Sequence, residues 1–388
     1  MQKKNIYYII LIWILLTLSV TSGCFSKPQA KPEIKSKEKI GLIMAETNTE
    51  RNKFIKKKIA ESAEQEKIKL ISLESKKDPL QEKANIEKMI QEKVKAVIIQ
   101  PVDTILAKDY ISMLQEKNIK VILMDALPSD ISVDAFISSD YLRAGELQAR
   151  CLVNQGRELN VLILKGDKTN NLTEEIYQGN LNILKNNSLI KKIAVNEIPK
   201  WDQRNSYEII TKKMTEEKFN AIITHYEEIA LGAIKFLKEN NLDDKIPLIT
   251  IGINKNYLND IINGKVVAVD TLPNLVSQIA VETAKDLIET NSWEYDLQVN
   301  NGIALVPAKL TPVRIITKDN YYLLKERFGE IEKQYKKDKS TKDQNSGKQG
   351  GSNKQTKLKV KTKDGKEFEV TIPGEIQSVE MEPKEGQQ

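Results

Sequence analysis

Short apolar runs alternate with longer amphipathic stretches along most of this chain. The runs are rich in Ile, Val and Leu and have the length of buried strands, whereas the stretches between them show helical spacing with charged faces. Because short apolar strands need helices on both faces of their sheet, the pattern predicts an α/β protein with doubly wound parallel sheets. The predicted strands are residues 40–45, 68–73, 96–100 and 121–125, then 159–164, 221–224, 247–251 and 266–270.

The series of strands restarts after Asp140, which predicts two separate sheets. Asp78-Pro79 predicts a helix start with proline in the first turn. The other predicted helices are residues 49–66, 142–155, 172–186, 207–217 and 228–239. In parallel sheets a ligand crevice lies beyond the carboxyl ends of the strands, so we expect the informative side chains just after each strand.

The N-terminal residues predict export. Lys3 and Lys4 precede an uncharged apolar stretch, residues 6–20, that fits a signal-peptide core and is short for a membrane-spanning helix. Small residues and Cys24 follow in a run that resembles a bacterial lipobox. We expect a signal peptide at 1–23, a lipid on the thiol of Cys24 and a flexible tether at 24–39. An uncleaved N-terminal anchor is the alternative.

The C-terminal residues predict a linker and a small β segment. Residues 331–356 are mostly polar, as in a solvated linker. Beyond them, apolar and charged residues alternate on both sides of Asp364-Gly365, which predicts a β-hairpin segment at 357–383.

Charge and composition exclude several classes of function. Sixty Lys and Arg against 54 Asp and Glu give +6 over 388 residues, with both signs interleaved, so we expect no nucleic-acid partner. Cys24, Cys151 and His225 are too few for a zinc cage, and His225 has no evident nucleophile as partner. We therefore expect no enzyme activity, metal or cofactor, with Cys151 buried and His225 in the core or a loop.

Several short motifs occur in a characteristic order between residues 40 and 318. They are Asp78-Pro79, Gln100-Pro101-Val102-Asp103, Ser139-Asp140, Trp201-Asp202, Ala230-Leu231-Gly232-Ala233, Gly264-Lys265 and Val281-Glu282-Thr283-Ala284. In order and spacing this region resembles the bacterial periplasmic sugar-binding proteins of the ribose and galactose type, the solute receptors of ABC importers.

The resemblance implies the type I periplasmic-binding-protein fold. In that fold two Rossmann-like lobes are joined by three hinge crossings around a ligand cleft. The crossings would fall near Ser139, Asp270 and Asn300. The implied lobes are 40–138 plus 271–300 at the N-terminal side and 139–270 plus 301–330 at the C-terminal side.

The resemblance also implies ligand positions in the first lobe. Asp103 and Asp125 stand where the family has aspartates after its third and fourth strands. Asn48 lies near the family's asparagine after the first strand, but Arg51 and Asn52 stand where its stacking aromatics belong. Arg51 instead offers a rigid fork suited to a carboxylate or phosphate.

The second lobe departs from the family pattern as well. Tyr226 and Glu227 replace the family's Asn-Asp, and Asn254 stands at the aspartate of its Phe-Asp. Trp201 and Tyr226 offer a relocated stacking surface. The expected ligand-binding residues are therefore Asn48, Arg51, Asp103, Asp125, Trp201, Tyr226, Glu227 and Asn254.

Structural roles compete with these assignments. Asp103 also suits the cap of a helix beginning near Thr104, and Asp140 is expected to be a cap rather than a ligand-binding residue. Arg51 is also consistent with a solvent-exposed helix position, and Trp201 with core or hinge packing.

The resemblance and the leader together imply a monomeric protein, lipid-anchored at the outer face of the cell membrane. It would close on a sugar, sugar acid or polyol and present it to an ABC permease. The alternative is a receptor of the same fold that signals to a membrane histidine kinase or chemoreceptor. An enzyme acting in the cleft is disfavoured, because no nucleophilic triad is evident.

Overall fold

The computed structural model describes residues 38–329 and two later strands, Gln355–Lys361 and Glu367–Pro373. The chain divides into two units, one ending at Asp319 and the other beginning at Asn320. The predicted signal peptide, Cys24 and nearly all of the predicted tether lie outside the described residues. Within those residues, no helix is both long and apolar enough to cross a membrane.

The first lobe is a seven-stranded sheet with helices on both faces. Its strands are β1 (Lys39–Met44), β2 (Lys69–Glu74), β3 (Ala96–Ile99), β4 (Lys120–Met124), β5 (Ala135–Ser139), β11 (Leu297–Asn300) and β12 (Leu305–Thr311). They lie in the order β11-β12-β5-β4-β3-β1-β2, and all are parallel except β11. One face carries α1 (Glu50–Gln65) and α9 (Pro273–Thr290), and the other carries α2 (Pro79–Gln91) and α3 (Ala107–Gln115).

The second lobe is a six-stranded sheet. Its strands are β6 (Leu159–Lys165), β7 (Ile190–Glu197), β8 (Ala221–Thr224), β9 (Leu248–Ile251), β10 (Val266–Asp270) and β13 (Arg314–Ile316). They lie in the order β13-β10-β9-β8-β6-β7, with only β13 antiparallel. Its helices are α4 (Tyr141–Val153), α5 (Leu172–Leu184), α6 (Gln203–Glu216), α7 (Glu227–Glu239) and the short α8 (Leu258–Ile262). The two doubly wound lobes predicted from the sequence are confirmed, although each sheet also has one antiparallel edge strand.

Side-chain caps fix where several helices begin. The Thr49 hydroxyl accepts a hydrogen bond from the backbone N–H of Asn52 at the start of α1. Carboxylates of Asp78, Asp140 and Asp202 cap α2, α4 and α6 in the same way. The cap predicted at Asp140 is therefore confirmed, and each cap satisfies an N–H group that has no partner within its helix.

Two glycines let α4 and α5 approach closely. A Cβ atom at Gly145 would lie 2.1 Å from the carbonyl oxygen of Ile176, and one at Gly179 would lie 2.0 Å from that of Leu142. These distances are far below van der Waals contact, so the helix pair requires glycine at both positions.

Three chain crossings join the lobes. They lie at Ser139–Asp140, at Thr271–Leu272 and between Thr311 and Arg314. The crossings are tied to one another, since the Ser139 hydroxyl donates to the Thr271 carbonyl oxygen at 2.8 Å and the Asp140 N–H donates to that of Thr311 at 2.9 Å.

The third crossing lies later in the chain than the expected position near Asn300. Strand β12 pairs in parallel with β5, so residues up to Thr311 belong to the first lobe. The chain enters the second lobe only at β13, which pairs with β10. In addition, residues 320–329, expected in the C-terminal lobe, are grouped with the second unit.

The second unit begins with a short 3₁₀ helix, Tyr321–Leu324, and α10 (Lys325–Phe328). Further on, β14 (Gln355–Lys361) and β15 (Glu367–Pro373) pair antiparallel, which confirms the predicted strand pairing of the hairpin. The turn at Asp364-Gly365, residues 376–383 and nearly all of the predicted linker lie outside the described residues.

Candidate functional site

A cavity of about 560 Å³ lies between the two lobes. Its volume is in the range typical of small-molecule sites. Much of its wall comes from residues just after strands, as the parallel-sheet rule predicts. These are Glu46 after β1, Gln100 after β3, Asp125 after β4, Asp167 after β6 and Tyr226 after β8.

A buried ion pair forms the first-lobe wall of the cavity. Arg51 of α1 is only 4% exposed and donates to both carboxylate oxygens of Asp125, at 2.8 and 2.6 Å. Its Nε donates to the Thr271 hydroxyl at the second crossing, 3.2 Å away. Burial lowers the pKa of Arg51, but the Asp125 charge and neighbouring groups outweigh that effect and raise it above the usual value. Arg51 is thus a fixed cation, not the solvent-exposed residue considered as an alternative.

Asp125 is fully occupied by groups of the chain itself. Besides the two bonds from Arg51, its carboxylate accepts from Gln100 Nε2 at 2.9 Å and from the Tyr141 hydroxyl at 3.4 Å. A carboxylate has about four lone-pair sites, and four donors already face this one. In this conformation Asp125 therefore holds Arg51 in place and has no acceptor left for a ligand.

An aromatic pair forms part of the second-lobe wall. Trp201 and Tyr226 meet edge to face, with ring centroids 5.2 Å apart. The Trp201 indole lies directly on the backbone of Gly166, where a Cβ atom would come within 2.4 Å of the ring. Lys200 and Trp201 both have left-handed backbones, at φ 58° and 56°, and the Lys200 N–H donates to Asp167 at 2.8 Å. This turn presents the indole to the cavity.

Asp103 lines the cavity and also caps a turn. Its Oδ1 accepts from the N–H groups of Ile105 and Leu106, at 2.7 and 3.1 Å, ahead of α3. Its Oδ2 makes no hydrogen bond within the part of the chain that the structure describes. The capping role considered from the sequence is therefore present, and one carboxylate oxygen remains available beside the cavity.

The other three sequence-predicted residues are not among those that line the cavity. Asn48 is exposed, and Asn254 caps a short 3₁₀ helix and donates to Glu228 at 3.2 Å. Glu227 is fully buried and accepts the backbone N–H of Arg51 at 3.3 Å. The structure therefore brings together Arg51, Asp103, Asp125, Trp201 and Tyr226, and separates Asn48, Glu227 and Asn254 from them.

Several polar residues of the wall were not selected from the sequence. Glu46 forms an ion pair with Lys77 at 2.9 Å, and Lys76 lies beside them with a left-handed backbone, as does Lys77. Lys200 and Asp167 face them from the second lobe. Each of these residues lies in the segment after a strand. The expectation that a ligand crevice lies beyond the carboxyl ends of parallel strands could therefore have identified them, whereas the family motifs did not.

Hydrogen bonds cross from lobe to lobe around the cavity, so the structure is a closed form. The Tyr226 hydroxyl donates to the Thr49 hydroxyl at 3.4 Å, and Lys77 Nζ donates to the Lys200 carbonyl oxygen at 3.3 Å. The Thr104 N–H donates to the Thr169 carbonyl oxygen at 3.1 Å. Asn171 Nδ2 donates to the Leu127 carbonyl oxygen at 2.5 Å. Each bond pairs groups that opening would return to water.

A buried carboxyl lies beneath the loop that carries Asp103. Glu82 of α2 accepts from the Val102 N–H at 3.1 Å and from the Tyr110 hydroxyl at 3.0 Å. Burial is the largest influence and raises the pKa of Glu82 to about 7, although both hydrogen bonds oppose it. Glu82 therefore links α2, the cavity loop and α3 through one titrating group.

Neither His225 nor Cys151 is among the residues that line the cavity. His225 is fully buried, as expected, with its Nε2 3.0 Å from Asn180 Oδ1, and burial lowers its pKa to about 3. Cys151, which was expected to be buried, is only partly buried, and burial raises the pKa of its thiol to about 11. Within residues 38–329 and the two later strands, no three His, Cys, Asp or Glu side chains converge on a possible metal position.

Sequence comparisons identify similar proteins over most of the chain. A family model described as "Periplasmic binding protein domain" matches residues 40–292. The D-xylose-binding periplasmic protein of Haemophilus influenzae is 25% identical over 317 residues, covering 79% of this chain and 93% of that protein. The ribose import binding protein of Bacillus subtilis is 25% identical over 287 residues, covering 71% and 92%.

Solved structures share the fold. An ABC transporter solute-binding protein of Bacillus halodurans with bound myo-inositol has a TM-score of 0.67 at 19% identity, over 76% of this chain and 99% of that one. A solute-binding protein of Actinobacillus succinogenes with bound D-allose has a TM-score of 0.66 at 22% identity, over 74% and 100%. Since the family model spans more than half of the chain, this protein belongs to the periplasmic binding protein domain family.

Proposed function

We propose that this protein is an extracytoplasmic solute-binding protein that captures a sugar, sugar acid or polyol between its lobes for an ABC importer. The observation that carries the proposal is the cavity of about 560 Å³, with polar and aromatic side chains contributed by both lobes. The similarity to xylose- and ribose-binding proteins supports this class of ligand.

Several wall groups suit a hydroxylated ligand. The buried Oε1 of Gln100 lacks a hydrogen-bond partner among the described residues, and Asp103 has one carboxylate oxygen available. A buried acceptor without a donor costs about 1 to 3 kcal/mol, so a ligand hydroxyl that donates to it contributes to affinity. Trp201 and Tyr226 provide the apolar surface against which a sugar ring packs.

Closure supplies the mechanism. A ligand that contacts both lobes stabilises the closed state, since only that state makes both sets of contacts. The hydrogen bonds already present between the lobes lower the free energy that the ligand must provide. An ABC permease that recognises the closed surface would then receive loaded protein in preference to empty protein.

Thermal unfolding with candidate ligands tests the proposal. The chain from Cys24 onward would be screened against D-xylose, D-ribose, D-allose, D-glucose, the sugar acid D-glucuronate and the polyol myo-inositol. A ligand present at 100 times its Kd adds about 2.7 kcal/mol, which raises the Tm by several degrees. Asp103→Asn and Trp201→Ala should each reduce the shift. A folded protein that responds to no sugar, sugar acid or polyol would contradict the function.

We also propose that Cys24 carries a lipid that retains the protein at the outer face of the membrane. The proposal rests on the charged, apolar and small-residue segments that precede this cysteine. Expressed in a bacterium, the full chain should label with a palmitate analogue and sediment with membranes. Cys24→Ala should abolish labelling, whereas Cys151→Ala should not.

A sensory role is the second candidate. The second unit, residues 320–388, lies beyond the family match, and this additional segment is the feature that favours the sensory alternative. Deleting the gene and measuring ligand uptake separates the two roles. Loss of uptake supports transport, while intact uptake with a lost transcriptional or chemotactic response supports sensing.

A further inference from the structure

We propose that Glu227 latches the two lobes in the closed form by accepting the backbone N–H of Arg51 from the opposite lobe. Glu227 does not line the cavity, so it is a positioning residue that holds the helix from which Arg51 enters the cavity wall. The inference rests on the proposed solute-binding function, in which the lobes open and close, but its test needs no ligand.

The second lobe holds Glu227 at a fixed place. It is the first residue of α7 and is fully buried. Gly252, just after β9, has a left-handed backbone at φ 83°, and a Cβ atom there would lie 3.3 Å from Glu227 Cβ. That distance is shorter than the optimal separation of two carbon atoms, so the glycine makes room for the carboxylate. The latch is therefore preorganised within its own lobe.

The carboxylate reaches the first turn of α1 in the other lobe. Glu227 Oε1 accepts the Arg51 N–H at 3.3 Å. Arg51 is the second residue of α1, so its N–H is one of the four that have no partner within the helix. Both α1 and α7 begin next to this carboxylate, and the partial positive charge at each helix start favours an anion there. Opening of the lobes would remove the α1 contribution and break the bond.

Other contacts from the second lobe surround the same turn. The Tyr226 hydroxyl donates to the hydroxyl of Thr49, the cap of α1, at 3.4 Å. Lys255 Nζ lies 3.6 Å from Glu50 Oε1. The second lobe thus contacts three consecutive residues at the start of α1, and Glu227 makes the contact to Arg51.

The next residue, Glu228, opposes closure. It is half-buried and accepts from Asn254 Nδ2 of its own lobe at 3.2 Å. Burial and the charges of Glu46 and Glu50 raise the pKa of Glu228, although Lys77 and the bond from Asn254 lower it. The two glutamates that raise it belong to the first lobe, so closure brings like charges together. Adjacent glutamates of α7 therefore act on closure in opposite directions.

Hydrogen exchange at the Arg51 amide tests the latch. It would be measured at single-residue resolution by mass spectrometry on the ligand-free chain from Cys24 onward. Glu227→Gln keeps the size of the side chain but replaces one acceptor with a donor, beside N–H groups that are themselves donors. We expect the Arg51 amide to exchange about tenfold faster or more, because a lost hydrogen bond to a charged group corresponds to about that factor. The radius of gyration of the ligand-free protein should also increase.

Two further variants separate the latch from a general effect of charge on α7. Glu228→Gln removes a charge that opposes closure, so it should accelerate neither the exchange at Arg51 nor the opening seen by small-angle scattering. Glu239→Gln is the matched control at the other end of α7. Its partner Tyr207 lies in the same lobe, so both quantities should keep the values of the unaltered protein.

The outcomes bear on the latch and leave the solute-binding function to the ligand screen. Unchanged exchange at Arg51 in Glu227→Gln, in protein with an intact urea transition, would overturn the latch. Faster exchange in both Glu227→Gln and Glu228→Gln would assign the effect to lost negative charge and would overturn it as well. An Arg51 amide that exchanges at the rate of an unstructured chain in the unaltered protein would overturn it without any variant.

Discussion

Arg51 carries a buried charge that is balanced by a residue far away in sequence. The Asp125 carboxylate lies at the end of β4 and receives both Nη groups, with both side chains almost fully buried. The Arg51 cation on α1 thus places Asp125 in a structural role in this closed form.

Removing one partner of this pair should be costly. Arg51→Met leaves the Asp125 charge buried without its cation, and we expect the free energy of unfolding to fall by about 3 to 5 kcal/mol. Urea denaturation measures the change. Arg204→Met, which breaks an exposed ion pair with Glu208, is the control, and its free energy of unfolding should equal that of the unaltered protein within experimental error.

The double variant Arg51→Met with Asp125→Asn tests the reason for that loss. Once both charges are gone, no buried ion remains uncompensated, so the double variant should lose less stability than the sum of the two single variants. Strict additivity would mean that the pair is not energetically coupled.

Gly166 positions Trp201 by having no side chain. Gly166→Ala would place a Cβ atom within 2.6 Å of three ring atoms, so the indole must move. In a Trp293→Phe background, Trp201 is the only tryptophan after Cys24, and its emission spectrum should shift in Gly166→Ala. We also expect a stability loss of about 1 to 3 kcal/mol from overpacking.

Gly41→Ala is the steric control for that experiment. Its Cβ would meet the flexible end of Met89, in the core of the first lobe and away from Trp201. The emission of Trp201 should therefore stay unchanged. An unshifted spectrum in Gly166→Ala would show that Gly166 does not set the position of the indole.

Among the elements, the α4–α5 pair is the most sensitive to side-chain volume. Gly145→Ala and Gly179→Ala each drive a methyl group into a backbone carbonyl of the facing helix, which cannot rotate away. We expect each variant to lose about 2 to 3 kcal/mol of unfolding free energy, measured by urea denaturation. Gly156→Ala has open space around its Cβ and only a left-handed backbone to strain, so its loss should be about 1 kcal/mol or less.

Glu82 makes the contact between α2 and the cavity loop dependent on pH. Its pKa of about 7 in the folded protein lies above the ordinary value of 4.5, so the folded state holds its proton more tightly than the unfolded state. The stabilisation is complete below about pH 4.5 and is lost as the pH rises through 7. Unfolding free energy should therefore decline over that interval.

Glu82→Gln should flatten this decline because glutamine does not titrate. Glu175, which is half-buried, has a pKa raised to about 7 by burial and by the nearby Asp140 charge, so it contributes to the same slope. Glu82→Gln combined with Glu175→Gln should remove more of the slope than either change alone. Urea midpoints measured from pH 5 to 8 give the dependence of stability on pH for each variant. If that dependence is unchanged in Glu82→Gln and in the double variant, Glu82 is not the group that causes the decline.

Elements with one clear pattern were predictable, and elements with mixed signals were not. Strongly apolar strands such as β3 and β8 were placed almost residue for residue. By contrast β7 contains two lysines, and β12 contains Pro307, which argues against a central strand. The third crossing, which the resemblance implied near Asn300, lies after β12, and no local pattern marks that position.

The candidate site was predictable in location and less so in chemistry. The strand-end rule indicates the correct edge of both sheets, because parallel strands deliver their carboxyl ends together. The Arg51–Asp125 pair joins residues 74 positions apart, and no local pattern reports such a contact. Asp103 and Asn254 illustrate the same limit, as an aspartate or asparagine after a strand can cap a turn as readily as it can face a ligand.

At the scale of the whole molecule, ligand affinity depends on how often the lobes are closed. Asn171 does not line the cavity, yet its side chain joins the second lobe to the Leu127 carbonyl of the first. Asn171→Ala should therefore reduce the closed population without removing a ligand contact. The apparent Kd rises as the closed fraction falls, and one lost hydrogen bond corresponds to about a two- to tenfold increase.

Calorimetry and small-angle X-ray scattering should report this change together. Asn171→Ala should raise the Kd for any ligand of the cavity by the same factor and increase the radius of gyration of the ligand-free protein. Asn182→Ala, which breaks a bond to Glu146 within the second lobe, should alter neither quantity. If Asn171→Ala changes the Kd for one ligand and not for another, its effect lies in a direct contact; a uniform factor means that closure and binding are coupled through the hinge.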